Sequence, residues 1–306
     1  MHAKVSVVSS NLDSRVHGVL RSVEHLMFEA VGVTGGGQAP GLSPAKTAAA
    51  YHLKTGGQRV RARLSVSAGL ALGLPEADVI CIAAAVELLH NASLIHDDLQ
   101  DQDKFRRGAQ TVWAKYGGHI ATLSGDFLLS AAYAVLSRCG NVQLVAGMMG
   151  LMHERCAAAI DGQCADLAHG ANPVNTVEQY LAIAVGKSGA LLGLPIELVL
   201  LAAGLEGAVP DAKRAANAFA VGYQIADDLL DASQDQKQAG GGSALNILFV
   251  LQAAGHRGDA RIEAKRIGLL HLQESSAAAR LLPCDAGALF LKLAESMNSV
   301  LTMEPG

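Results

Sequence analysis

The chain has 306 residues, half of them hydrophobic, 17% charged and only 4% aromatic, a balance that suits closely packed helices better than a sheet. Its net charge of −4 comes without a basic tail or stripe, which sets nucleic-acid binding aside. Cys81, Cys139, Cys156, Cys164 and Cys284 show no C-x-x-C spacing and leave one over, so neither a disulfide framework nor a zinc site is expected.

In chain order, residues 11–30 place Val, Leu and Met among charges at helical spacing, an amphipathic first helix. Residues 31–44 are rich in Gly and Pro and read as a loop. A helix over 60–73 ends at Gly73-Leu74-Pro75, and a long apolar helix follows over 76–99. The polar stretch 101–111, with Arg106-Arg107-Gly108, reads as a loop. Another apolar helix begins at Gly125-Asp126, and further helices are expected over 142–169, 176–205 and 211–230. Gly240-Gly241-Gly242 is a flexible break before two or three last helices. The most membrane-like stretch, 191–209, is interrupted by Pro195, Glu197 and Glu206, so it reads as a central bundle helix and no transmembrane span is expected. No signal peptide is visible, and unpaired thiols fit a cytoplasmic setting. The expectation is all-α: one domain over 1–306, a large bundle around a central cavity with sites between facing helices.

Two acidic runs carry the chemistry: Asp97-Asp98-Leu99-Gln100-Asp101 and Asp227-Asp228-Leu229-Leu230-Asp231. On a helix, Asp97 lies over Asp101 and Asp227 over Asp231, each pair with a second carboxylate beside it. A single D-D-x-x-D on a helix is usually a solvated face. Here both runs directly follow apolar stretches, where a buried helix emerges. Six carboxylates in an apolar setting would cost several kcal/mol unless cations neutralised them, and hard oxygen ligands in ones and twos suit Mg2+. Around the runs lie groups suited to phosphate: the glycine turn and basic helix start Gly56-Gly57-Gln58-Arg59-Val60-Arg61, the pair Arg106-Arg107, and Lys187-Ser188.

With His96 ahead of the first run, Gly125-Asp126-Phe127-Leu128, Gly186-Lys187-Ser188 and Gly222-Tyr223-Gln224-Ile225-Ala226 ahead of the second, the chain resembles the trans-prenyltransferases, the all-trans polyprenyl diphosphate synthases, over residues 50–235. The resemblance implies that Asp97, Asp98, Asp101, Asp227, Asp228 and Asp231 hold about three Mg2+ ions on an allylic diphosphate. It implies that Arg106, Lys187 and Gln224 contact the same diphosphate, with Ser188 beside Lys187. Ionisation would give an allylic cation, which the double bond of isopentenyl diphosphate attacks. Gly57, Arg61, His90 and Arg107 fall where the family binds that acceptor. In the family, bulky residues at the positions of Ala92 and Ser93 act as a floor under the growing chain. Both are small here, so products of twenty carbons or more are expected, from a homodimer.

Two features depart from the family pattern. Gln58 stands where the family has Lys, and the later lysine-containing segment reads Asp235-Gln236-Lys237-Gln238-Ala239-Gly240-Gly241-Gly242-Ser243-Ala244-Leu245. Both changes remove cations that would bind phosphate. A class I terpene cyclase would keep the acidic runs without the acceptor pocket, but it would want aromatic walls around its cations, and these are scarce. A regulatory subunit would be expected to lose an acidic run, and neither is lost. A helix bundle holding metal only for structure leaves the grouped cations unexplained.

Overall fold

Alanine and leucine recur through the chain at helical spacing, and helices form nearly everywhere they do. The structure, a computed structural model, describes residues 2–34, 37–38, 41–170, 173–238 and 245–302. It groups into two compact units, Met1–Met149 and Gly150–Gly306.

The first unit contains α1 (His2–Ala30), α2 (Pro44–Lys54), α3 (Val60–Ala71), α4 (Glu76–Gln100), α5 (Val112–Tyr116), α6 (Gly118–Leu136) and the start of α7 (Val142–Leu167). Helix α4 is its axis, packed against α6, α3 and α1. Ile82, Ala83, Ala84, Ala85 and Leu88 on α4 are wholly buried, and the three alanines let neighbouring backbones approach closely. Helix α2 is not anticipated from the sequence. Its start is nevertheless encoded: Ser43 accepts a hydrogen bond from the Lys46 amide and Pro44 occupies the first turn.

The two loops expected over 31–44 and 101–111 each hold a small antiparallel ribbon, Val33–Thr34 with Gly37–Gln38 and Phe105–Arg106 with Ala109–Gln110. In the second, Arg107 and Gly108 both have positive φ (54° and 76°), the backbone of a two-residue hairpin turn. Helix α6 begins at Gly118, seven residues before the expected start at Gly125 (118 against 125). Gly125 is a packing residue inside the helix: a Cβ there would lie 2.2 Å from His96 Nε2.

The second unit holds the rest of α7, then α8 (Val177–Ala184), a π-helical turn (Val185–Gly189), α9 (Ala190–Ala202), α10 (Val209–Gln238), α11 (Ile247–Ala253), α12 (Ala260–Ala279) and α13 (Ala288–Thr302). Helix α10 is the axis here, packed against α12 and α9. The single helix expected over 176–205 runs continuously over Val177–Ala202, with the π turn inside it. Gly162 of α7 crosses this turn so closely that a Cβ on it would lie 2.3 Å from the Lys187 nitrogen. By length and composition Glu76–Gln100, Gly118–Leu136 and Val177–Ala202 could each cross a membrane. The first and third have 78% of their most apolar window buried within the protein, as core helices do.

Glu197 is the one acid on α9 and is 1% exposed. Arg155 Nε donates to its Oε2 at 2.6 Å, and burial pushes the carboxyl up while Arg155 pulls it back down. Removing one partner of such a pair strands the other charge. Arg155→Met should therefore lower unfolding free energy by about 3–5 kcal/mol in a denaturant titration, and a loss under about 1 kcal/mol would mean the pair is solvated.

Candidate active site

The first acidic run ends α4. Asp97 is half-buried, Asp98 is 1% exposed and Asp101 is exposed. Arg106 Nε donates to Asp98 Oδ1 at 2.6 Å, while Asp98 Oδ2 is buried without a hydrogen-bond partner. Burial raises the Asp98 carboxyl above its ordinary range, and Arg106 opposes this. One oxygen thus fixes the arginine, and the other is a buried acceptor that a cation would satisfy.

The hairpin after α4 folds its second arginine back. The left-handed backbone at Arg107 lets its Nη1 donate to the Gly56 carbonyl. Gly57, at φ 140°, admits this guanidinium, because a Cβ there would lie 2.6 Å from Arg107 Nη1. Arg61, on the first turn of α3, and His90 of α4 join the group. His90 is held well below its ordinary range by burial, then by Arg61 and Arg107, and its Nδ1 lacks a hydrogen-bond partner. His52 of α2 is buried and lowered to about 3, first by burial and then by Arg107 and Arg106, with its Nε2 also unpartnered. Two neutral imidazoles and several guanidiniums therefore crowd one region of this unit. The guanidiniums of Arg59, Arg61, Arg106 and Arg107 outnumber the carboxylates of Glu87 and Asp98 beside them.

Gln58 is exposed and lines a cavity of about 380 Å³ together with His17, Arg21 and Arg63. Ala92 is 3% exposed, while Ser93 is half-buried and donates from Oγ to the His90 carbonyl at 2.9 Å.

In the second unit, Asp227 is half-buried and Asp228 is 4% exposed. Asp228 Oδ2 accepts from Tyr180 Oη and from the Ile247 amide, both at 2.8 Å, and Oδ1 accepts from Gln224 Nε2 at 2.8 Å. Asn246 Nδ2 donates to the Asp228 carbonyl at 2.9 Å and its own side chain accepts from the Leu248 amide, so the start of α11 is tied to α10. Burial and the Asp228 charge push the Tyr180 phenol far up, which keeps it a donor. Lys187, inside the π turn, is ion-paired with Asp166 of α7, and Ser188 beside it is half-buried. The Asp231 side chain and residues 239–244 lie outside the described residues, as does the side chain of Lys237.

The structure thus gathers Asp98 with Arg106, then Gly57, Arg61, His90 and Arg107, in the first unit. It gathers Asp228 with Gln224, and Lys187 with Asp166, in the second. Among the described residues, no three His, Cys, Asp or Glu side chains come together as a preformed metal site. The donors still fit Mg2+: they are carboxylate oxygens in ones and twos, and Asp98 Oδ2 lacks a partner. Sequence reasoning does not single out His52, Glu87, Asp166 or Tyr180. Glu87 could have been found as the one charge between Val79 and Leu89. No spacing signal marks the others.

The fold and these sites define a helical protein with buried carboxylates in both units and a cluster of guanidiniums in the first. Residues 43–244 match the model of the polyprenyl synthetase family, and the chain belongs to that family. It is 34% identical over 194 residues to a short chain isoprenyl diphosphate synthase of Methanocaldococcus jannaschii, covering 63% of this chain and 59% of that protein. It is 37% identical over 175 residues to a (2E,6E)-farnesyl diphosphate synthase of Mycobacterium bovis, covering 57% of this chain and 48% of that protein. The chain thus spans less than two thirds of the length of these relatives. In fold it is similar to a geranylgeranyl pyrophosphate synthetase from Pyrococcus horikoshii, with a TM-score of 0.80 over 97% of this chain and 99% of the other at 22% identity.

The state of His52 is open to direct test. In the unfolded chain its imidazole takes a proton near 6.5, in the folded one only near 3. Between those values the unfolded state binds more protons, so stability rises with pH through the window and falls as pH drops from 6.5. Unfolding free energies measured from about pH 7 to about pH 4 should decline less steeply in His52→Gln, by up to roughly 1.4 kcal/mol per pH unit. An identical slope in both proteins would show that the imidazole is not held neutral.

Proposed function

We propose that the chain is a Mg2+-dependent trans-prenyltransferase that condenses isopentenyl diphosphate with an allylic diphosphate, giving an all-trans prenyl diphosphate of twenty carbons or more. The observation that carries this reading is the basic region of Gly57, Arg61, His90 and Arg107, where cations crowd two neutral imidazoles with unpartnered nitrogens. An enzyme that only ionised and cyclised one diphosphate would have no use for this second anion pocket. The names of the relatives in archaea and mycobacteria support the same reaction class.

In this reading Arg61, Arg107 and His90 hold the acceptor diphosphate at the turn that Gly57 keeps open. Arg106, Lys187 and Gln224 bind the allylic diphosphate, with Ser188 adding a hydroxyl. Mg2+ would be held by Asp97, Asp101, Asp227 and Asp231, with Asp98 Oδ2 also free to contribute, and when bound it supplies Lewis-acid stabilisation of the departing diphosphate. Asp228 serves by orienting Gln224, since its oxygens already accept from three donors. Lys187 leaves Asp166 for phosphate oxygens as charge develops there. Positioning two bound diphosphates and excluding water account for much of the rate without a covalent nucleophile. We extend the proposal to a homodimer in the cytoplasm. Helix α6, whose most apolar window is only 44% buried, supports an apolar face there for a second subunit.

Incubation of the purified protein with isopentenyl diphosphate and each allylic primer, with products read by mass, tests the reading. Prenyl diphosphates lengthened by five-carbon units are expected; hydrocarbons alone would replace it with a cyclase. The two aspartates of the second run should separate. Asp227→Ala should cut turnover at least about a hundredfold with an unchanged melting temperature. Asp228→Ala strands the Tyr180 and Ile247 donors and should lower stability by about 2–5 kcal/mol. An Asp228→Ala protein as stable as the parent would overturn that division.

Product length turns on the residues one turn before the first run. Ser93 lies on the same helical face as Asp97, and it is more open than Ala92. Ser93→Phe should shorten the product to about fifteen carbons or fewer, by placing a ring roughly 6 Å below Asp97 along the helix. Ala92→Phe should act in the same direction but destabilise the protein, because it overpacks a buried site. Unaltered product length in both variants would remove this wall from the cavity.

A further inference from the structure

The basic region described above must exist before its ligand arrives, and bringing guanidiniums together in a partly buried place is costly. One buried carboxylate faces them from the axis of the unit. Glu87, on α4 and 3% exposed, accepts from the Ala62 amide through Oε2 at 3.1 Å, while its Oε1 lies 3.6 Å from Arg59 Nη1.

The Ala62 amide belongs to the first turn of α3, where amides have no partner within the helix. Helix α3 has no cap of its own: Arg59 stands at the cap position with φ 50° and makes no side-chain capping bond. Glu87 therefore supplies the cap from another helix. Arg59 is further held by the Leu53 carbonyl at 3.1 Å and by Glu24 at 3.2 Å, which fixes the turn leading into α3.

One turn along α4, Asn91 Nδ2 donates to the Glu87 carbonyl at 2.7 Å. His90 lies between these two positions. This face of α4 thus holds the glycine turn and the start of α3. The charges agree with this geometry: burial, then Arg59 and Arg106, push the Arg107 guanidinium down, and Glu87 and Asp98 hold it up.

We propose that Glu87 is the positioning residue of the acceptor-diphosphate pocket, capping α3 and balancing Arg59 so that Arg61 and Arg107 stay aimed at the incoming phosphates. The inference rests on the acceptor reading given above. Glu87 itself touches no substrate, since its oxygens are spent on Ala62 and Arg59. A purely structural ion pair would make the same contacts, but its loss would affect both substrates alike.

The test compares Glu87→Gln, which keeps the volume and an oxygen for the Ala62 amide while losing the charge, with Glu87→Asp, which keeps the charge. In Glu87→Gln the KM for isopentenyl diphosphate should rise at least about tenfold, with the KM for the allylic primer within about twofold. Glu87→Asp should restore part of that loss, and if Glu87→Gln does not fold, the same selective rise, about threefold, is expected in Glu87→Asp. Equal changes in both KM values, or no change in either, overturn the proposal. Arg61→Met is measured alongside. If it raises the acceptor KM while the Glu87 variants do not, only the role of Glu87 fails; if it too leaves that KM unchanged, the acceptor reading itself fails.

Discussion

Asp228 is buried in α10 with its carboxylate held by neutral donors: Tyr180 Oη, Gln224 Nε2 and the Ile247 amide. A carboxylate moved out of water costs several kcal/mol unless hydrogen bonds of this kind replace its hydration. The other unit differs: Asp98 is buried against the charged Arg106, and its Oδ2 has no hydrogen-bond partner. In each run one aspartate is invested in the fold and its neighbour, Asp97 or Asp227, is left half-open. The neighbour can be aimed only because the buried one is immobile.

The same constraint explains what the sequence did and did not disclose. Both acidic runs, the glycine turn and the paired arginines were legible, since charge within an apolar pattern has few explanations. The all-helical class was legible from composition and period. Local starts were less so. Gly125-Asp126 looks like a helix start, yet Gly125 lies inside α6, because His96 occupies the space a side chain would fill. Helix α2 went unread although Ser43 and Pro44 announce it, because its body is short and its apolar residues are mostly alanine. The division of labour within each run could not be read at all, since Asp97 and Asp98 are identical in sequence and differ only in what packs around them.

Departures from the family pattern gain a physical setting too. Gln58 stands where the family has lysine, at a turn where Arg59 and Arg106 already repel Arg107. A neutral residue there reduces attraction for phosphate, but it also reduces the repulsion that Glu87 must offset. Its exposure, beside Arg21 and Arg63, puts the missing charge at the rim of the group, where solvent screens it most. The loss is therefore smaller than a count of cations suggests.

In the proposed reaction Lys187 presents the opposite problem, a cation that must move to phosphate. Its backbone lies in the only π-helical turn among the described residues, with Gly162 and Gly186 in direct contact where side chains would clash. A π turn inserts one residue into the helix and is kept when the displaced geometry is useful. Here the displacement brings the Lys187 ammonium to Asp166 on α7 without lengthening α8. The ion pair is partly exposed, so solvent screening keeps it weak. A weak partner suffices to hold the side chain in one place, and a phosphate with more charge outcompetes it. The backbone irregularity supplies the position, and the modest ion pair leaves the cation available.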